Sequence, residues 1–260
     1  MLRGIYSAAS AMLTAFQRQE QTAANLANIN TPGYKRDAFV ARSAPSITEV
    51  RNFEGLLSVA YPTRPFPLKV GEVGTGVFND PVITDFSAGD VRETGRELDL
   101  ALIGPGYYQM RSTEGATFYS RDGQFSRDSA GRLVDAHGNF VVGNDGPIVV
   151  GFGSVAVEAD GSVYADGQPV GQLWIREFPV DAPLRKIGGG DFIPVDPDLA
   201  PTFSEGATIV QQGAIEYSNV DPSRAVAEML SASRSYEAAQ RILQMSDAIL
   251  ERSVNDIGRV

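Results

Sequence analysis

The chain is helical in period at its two ends and β-like between them, so no single layer of secondary structure can satisfy it. In residues 1–28, Leu2, Ile5, Ala9, Met12, Phe16, Gln19, Ala23 and Leu26 recur at alternating intervals of three and four. That spacing sets them on one helical face, as in a coiled-coil seam, with Gln19 the polar intruder. Asn28-Ile29-Asn30-Thr31-Pro32-Gly33 ends the helix. Asn tolerates left-handed geometry, Pro32 disfavours helix at Thr31, and Gly33 permits a tight turn. Helical period returns from 221 to about 257, where Asp221 suits an N-cap and Pro222 the first helical position. Met229, Ala232, Tyr236, Ala239, Leu243 and Leu250 form one stripe, which Ile242, Met245 and Ile249 widen. A stripe that broad predicts contact with more than one neighbouring helix. The two helices should be roughly 40 Å and 54 Å long.

Residues 36–212 read as β-structure. Pro45, Pro62, Pro65 and Pro67 predict an extended connector at its start. Turn signals then recur at Asp122-Gly123, Ala130-Gly131, His137-Gly138-Asn139, Asp145-Gly146, Asp160-Gly161 and Asp166-Gly167, with short β-prone runs between them. Asp-Gly between alternating segments signals a hairpin, because both central residues can take positive φ. The expected fold class is α+β: paired N- and C-terminal helices, coiled-coil-like, flanking a mainly antiparallel β domain. The expected boundaries are 1–35 for the first helix and its turn, 36–80 for the connector, 81–212 for the β-rich domain, and 213–260 for the helix completing the helical domain.

Isolated helices of this kind are marginal in water, so the first one needs a partner. The last helix is the obvious candidate, yet a two-helix hairpin leaves part of each apolar face wet. Two arrangements stay open on periodicity alone. The helices either pack on further copies and related chains, ordering on polymerisation, or both lie on the chain's own β domain.

At this point four blocks resemble a known family. Ala24-Asn25-Leu26-Ala27-Asn28-Ile29-Asn30-Thr31-Pro32-Gly33-Tyr34-Lys35 is similar to the N-terminal signature of flagellar rod and hook proteins. Gly213-Ala214-Ile215-Glu216-Tyr217-Ser218-Asn219-Val220-Asp221, with Arg234-Ser235-Tyr236-Glu237, is similar to its C-terminal signature. Thr94 through Leu102 with Gly104 through Tyr108 resembles the segment entering the family's β domain, and Tyr119 through Phe125 with Gly131 through Val134 continues it. The resemblance implies an axial tube component of the bacterial flagellar basal body, polymerised helically with its terminal helices as the inner layer. Its implied partners are other copies of itself, neighbouring rod and hook proteins, and the flagellar type III export apparatus. The chain length and single β-region fit a proximal or distal rod subunit. As expectations under that resemblance, the assembly interface comprises Leu2, Ile5, Ala9, Met12, Phe16, Leu26, Met229, Ala232, Tyr236, Leu243 and Leu250. Asn25 and Asn28 should bond backbone where the first helix stops, and Pro32-Gly33 should set the chain's exit direction. Glu216, Ser218 and Asn219 should organise the turn back into the helical layer, Asp221 should cap the next helix, and Tyr236 and Glu237 should lie at helix–helix contacts.

Other classes find little support. A formal net charge of -10 argues against nucleic-acid binding, which needs a basic field. No apolar run is long enough to insert in a membrane, and the amphipathic N-terminus gives no expectation of a cleaved secretory signal. The absence of cysteine excludes thiol catalysis, disulfides and thiolate zinc sites. His137 is the sole histidine and no Gly-x-Ser-x-Gly elbow accompanies it. Gly104-Pro105-Gly106 and Gly188-Gly189-Gly190 are loop punctuation, since neither opens a helix with a third spaced glycine. Calcium at Asp160 or Asp166 lacks both the EF-hand spacing and the nonapeptide repeat. No catalytic residue, cofactor or metal is expected. The alternative in another class is a soluble carbohydrate- or protein-binding β domain on a helical stalk.

Overall fold

The computed structural model describes residues 2–44, 76–179, 182–196, 199, 201–203 and 207–257. The expected proline connector at Pro45, Pro62, Pro65 and Pro67 lies outside the described residues. The fold is α+β, with helices α1 (Leu2–Ala27) and α2 (Pro222–Ile257) flanking antiparallel β-structure. By compactness the chain forms two units. One comprises Met1–Leu26, Asp37–Thr84 and Pro222–Val260; the other comprises Ala27–Arg36 and Asp85–Asp221. The segments that carry the two terminal motifs, 27–36 and 213–221, therefore belong with the β-rich unit.

In the helical unit the buried helix positions carry small side chains. Ala8, Ala15 and Thr22 of α1, each seven residues apart, are buried, and so are Ala225, Ala232 and Ala239 of α2 at the same interval. Alanine at the contact lets helix axes approach closely, since interaxial distance follows side-chain size. Phe16 meets Tyr236 with ring centroids 6.5 Å apart. With that pair as register, antiparallel helices bring Ala15 within a turn of Ala239 and Thr22 within a turn of Ala232. A parallel pairing would face Thr22 with Ile242, which is 49% exposed. Burial therefore fits the antiparallel hairpin. Alongside α1, strands Asp37–Ala38 and Ala41–Ser43 pair with Ile83–Thr84 and Val77–Asn79 as one ribbon. The backbone N–H of Val77 donates to Ser10 Oγ at 3.3 Å, and Asn79 bonds Gln17.

In the β-rich unit, Tyr107–Arg111 lies within a ten-stranded sheet, between Thr117–Ser120 and Phe140–Gly143. Register and alternation agree. Tyr108 and Met110, opposite Ser120 and Phe118, face a core with Phe125, Leu133, Val141, Val163 and Leu173. Tyr107 and Tyr119 face the other way onto Phe192. A three-stranded sheet, Val155–Val157, Ser162–Ala165 and Gln168–Gln172, adds Val155 and Val163 to the main core. Of the expected hairpin turns, Asp166-Gly167 takes positive φ at both residues, 50° and 78°. It joins Ala165 to its cross-strand partner Gln168. Asp122-Gly123 is a correction: no hairpin forms there. Gly123 instead lies against the backbone of Leu100, where a Cβ would collide with the Leu100 carbonyl. Asp145-Gly146 turns one residue early, because Gly143 pairs with Gly146 and leaves Asn144-Asp145 as the turn.

Candidate assembly site

The N-terminal motif begins on α1. Asn25 bonds Asp37 twice, Nδ2 donating to its carbonyl at 2.8 Å and Oδ1 accepting its N–H at 2.9 Å. Asn28 Oδ1 accepts from the Thr31 hydroxyl at 3.1 Å, and the Asn28 carbonyl accepts the Thr31 N–H. Both asparagines thus organise the helix stop. Gly33 follows Pro32 at φ +67°, and a Cβ on it would overlap the peptide joining Arg121 to Asp122. Its N–H donates to the Glu216 carbonyl at 2.9 Å. This backbone contact joins the two terminal motifs inside the β-rich unit.

A buried charge cluster sits at that junction. Lys35 Nζ lies 2.6 Å from Glu216 Oε1, both side chains being 1% exposed, and Arg121 Nη1 lies 3.2 Å from Glu216 Oε2. Glu216 Oε1 also accepts the Gly89 N–H at 2.8 Å. Lys35 Nζ donates to the Ser87 carbonyl at 2.9 Å, and Arg121 Nη2 to the Gly104 carbonyl at 2.6 Å. The Arg121 guanidinium stacks 4.9 Å over the Tyr107 ring. Burial pushes the Lys35 ammonium below the ordinary lysine range, and the Glu216 carboxylate opposes that shift. Around this centre, Asn219 Oδ1 accepts the Arg36 N–H at 2.7 Å and its Nδ2 donates to the Asp85 carbonyl at 2.9 Å. Arg36 pairs with Asp85 at 2.9 Å. Lys186 Nζ donates to the Lys35 carbonyl at 2.6 Å and lies 3.5 Å over the Tyr34 ring. Ser218 Oγ accepts the Val220 N–H at 3.3 Å, and Asp221 directly precedes α2.

The cluster spends its charged groups on other parts of the same chain. Its effect is mechanical: the segment leaving α1, strand Ala214–Glu216 and the Arg121 turn are fixed to one another. Lys35 and Arg121, quoted in the motifs without a role, carry that effect with Glu216.

The expected interface residues divide by exposure. Ala232 is buried, whereas Ile5, Ala9, Met12, Leu26, Met229, Tyr236, Leu243 and Leu250 are partly buried. Phe16 is 47% exposed despite its ring contact with Tyr236. The side chain of Leu2 lies outside the described residues. Glu237 is exposed, 3.9 Å from Arg241. The fully buried residues of the two helices are alanines at heptad spacing, with Thr22, a signal present in the sequence but outweighed there by larger side chains. Larger apolar groups remain outside: Tyr6 and Leu13 on α1, and Val226, Leu230, Ile242, Met245, Ile249 and Val254 on α2, with Leu230 56% and Met245 58% exposed.

The other singled-out polar residues serve turns. Asp160 accepts the Ser162 N–H, Asp166 the Ser154 N–H, and Asp135 the His137 N–H. Among the described residues no group of three or more His, Asp or Glu could hold a metal, and no helix is long and apolar enough to cross a membrane.

Two long terminal helices bearing uncovered apolar faces, with one β-rich unit, fit a subunit of a larger assembly. Comparison with known proteins makes the class specific. Residues 5–35 match the description "Flagella basal body rod protein", residues 101–165 the "Flagellar hook protein FlgE/F/G D1 domain", and residues 211–257 the "Flagellar basal body rod FlgEFG protein C-terminal". The chain is 30% identical to the flagellar basal-body rod protein FlgG of Agrobacterium fabrum, over 95% of this chain and 96% of that one. It is 29% identical to the flagellar hook-basal body complex protein FlhO of Bacillus subtilis over the whole of both chains. It is 28% identical to the flagellar basal-body rod protein FlgF of Escherichia coli over 95% of each. The chain belongs to the flagellar basal-body rod protein family, and its place is in the basal body as a structural component.

Proposed function

We infer that the chain is a rod subunit that polymerises through the apolar faces of α1 and α2 left uncovered by their own pairing. The observation that carries this is the mismatch between the seam and the surface. The intrachain contact buries alanine and threonine, while Leu13, Phe16, Leu230, Ile242, Met245 and Ile249 face outward. Apolar surface on that scale along two helices marks an interaction site. In the assembly, Ile5, Ala9, Met12, Leu26, Met229, Tyr236, Leu243 and Leu250 border those faces. The partners are further copies and neighbouring rod or hook proteins, reached through the flagellar type III export apparatus. The role is mechanical and involves no catalytic step. The reading of a separate binding domain on an unrelated stalk loses its ground, because relatives align across helices and β domain together.

The test replaces Leu230 and Met245 together by glutamate. Both sites are exposed, so the purified chain should keep its melting temperature within about 2 °C, surface changes costing little. Cells relying on the variant should lose swimming and yield basal bodies lacking the chain. Normal incorporation would refute this interface.

A further inference from the structure

We propose that the hairpin of Leu184–Gly188 and Asp191–Pro194 is a clasp on the N-terminal motif, held shut by protons on Asp122 and Asp191. The inference concerns the β-rich unit alone and is independent of the interface proposed for α1 and α2. Lys186 Nζ of the outer strand donates to the Lys35 carbonyl at 2.6 Å and lies 3.5 Å over the Tyr34 ring. Gly190 packs so closely on the motif turn that a Cβ there would lie 3.1 Å from the Gly33 carbonyl oxygen. On the inner strand Phe192 is fully buried and meets the Phe86 ring at 5.5 Å. The outer strand pairs with the inner one and ends the sheet, with a register shift between Lys186 and Gly188. Ile187, Gly188 and Gly189 are exposed. Phe192 therefore anchors the hairpin, while the tip that carries Lys186 and Gly190 is the part suited to open locally.

The motif turn is gripped from two sides. Opposite Gly190, the peptide joining Arg121 to Asp122 fills the space where a Gly33 Cβ would lie. Each jaw bears an acid, Asp191 next to Gly190 and Asp122 on the facing peptide. Both address Ser120, which is 3% exposed. Its Oγ accepts the Asp122 N–H at 3.2 Å, and its hydroxyl bonds the side chain of Asp191, its cross-strand partner. Asp135, also buried, adds a third carboxylate, fixed by the N–H groups of His137 and Asn139. Asp135 and His137 are the other charged groups that face both acids. The Tyr108 hydroxyl also lies near Asp122 but is committed to the Leu100 carbonyl, and Arg121 turns to Glu216.

Burial, then the charges of Asp191 and Asp135, raise Asp122 to about 6 against the bond from the Gln124 N–H and the pull of His137. Burial and Asp135 raise Asp191 as well. Both folded values exceed the unfolded ones, so the closed clasp is favoured at low pH and loses ground as pH rises through about 6. If opening returned Asp122 to its ordinary 3.8, the opening equilibrium would change about tenfold between pH 5 and pH 7.5.

Hydrogen exchange of the purified chain, read by mass spectrometry and corrected for the intrinsic pH dependence of amide exchange, tests the clasp. Protection of residues 184–191 and 30–36 should fall at least threefold from pH 5 to pH 7.5. Urea below the unfolding transition should leave that difference unchanged, since local opening exposes little surface. Asp122→Asn with Asp191→Asn keeps both acceptors and should abolish the difference. Lys186→Met removes the bond to the Lys35 carbonyl and should lower protection of 30–36 at both pH values. Equal protection at the two pH values in the unaltered chain would overturn the proposal, as would a difference that survives in the double variant. So would a difference that shrinks with urea as global unfolding does, or a motif untouched by Lys186→Met.

Discussion

Removing the Glu216 carboxylate should unravel the junction of the two terminal motifs, and the structure sets the size of the effect. Among the described residues Glu216 is the one anion paired with Lys35 Nζ and Arg121 Nη1, at 2.6 and 3.2 Å, and it accepts the Gly89 N–H as well. Glu216→Ala leaves a lysine that is 1% exposed holding the Ser87 carbonyl at 2.9 Å but no carboxylate. Breaking a buried pair from one side costs about 3–5 kcal/mol. In a unit of this size that is a fall in Tm of about 10 °C. Trp174, the sole tryptophan, stacks against Arg176 and Phe203 in the same unit, so its fluorescence follows the melt. Glu216→Gln keeps an acceptor but loses the charge, and should fall between wild type and Glu216→Ala. The informative variant is Lys35→Met with Glu216→Leu. Replacing both members by apolar groups removes the stranded lysine, and Arg121, though it loses its anion, keeps the Gly104 carbonyl and its stacking on Tyr107. The double variant should therefore lose less than Glu216→Ala alone, about 2 kcal/mol or under. A loss below about 1 kcal/mol in Glu216→Ala would refute the reasoning. So would a double variant as damaged as the sum of its singles.

Two further outcomes follow from the same unit. Gly33→Ala should cost about 2–4 kcal/mol, seen as a Tm drop, because the site combines positive φ with backbone of Arg121 and Asp122 where the Cβ would lie. Asp122 is held up to about 6, chiefly by burial, with Asp191 and Asp135 adding repulsion and His137 opposing it. Its folded pKa exceeds the unfolded value, so its ionisation destabilises above about pH 6 and that penalty fades as pH falls toward 4. Asp122→Asn should accordingly raise Tm at pH 7.5, by an amount worth about 1–3 kcal/mol, and leave it nearly unchanged at pH 4; an equal gain at both would exclude this origin.

Both helices were legible from period alone, and so were their ends, since Pro32-Gly33 and Asp221-Pro222 leave the backbone few alternatives. The contact between the helices was harder to read because hydrophobic weighting favours large residues. Phe16 falls on the predicted seam, yet the buried positions are Ala8, Ala15, Ala232 and Ala239, and Phe16 is left largely outside. Small residues recurring every seven positions in both helices were the available signal. The strands flanking the connector were obscured for a different reason. Asp37–Ala38 and Ala41–Ser43 are too short to show alternation, and their pairing with Val77–Thr84 depends on a long-range return of the chain.

The polar knot could not be read as a knot, because charged residues are exposed by default and nothing local in Lys35, Arg121 or Glu216 says otherwise. Lys35 and Glu216 are separated by 181 positions, so only the fold makes one the partner of the other. Their burial has a mechanical logic. A purely apolar junction would hold the segments after α1 and before α2 together but would tolerate sliding, whereas charge-assisted bonds at 2.6 and 3.2 Å fix direction and distance. Gly33 adds steric exclusion, since no side chain fits between it and the Arg121 peptide. Specificity of this kind is the use of buried ionic groups that Glu216→Ala and the Lys35–Glu216 double replacement separate from stability. If the double variant folds stably yet fails to enter basal bodies, the knot serves geometry; if it enters normally, the knot serves stability alone.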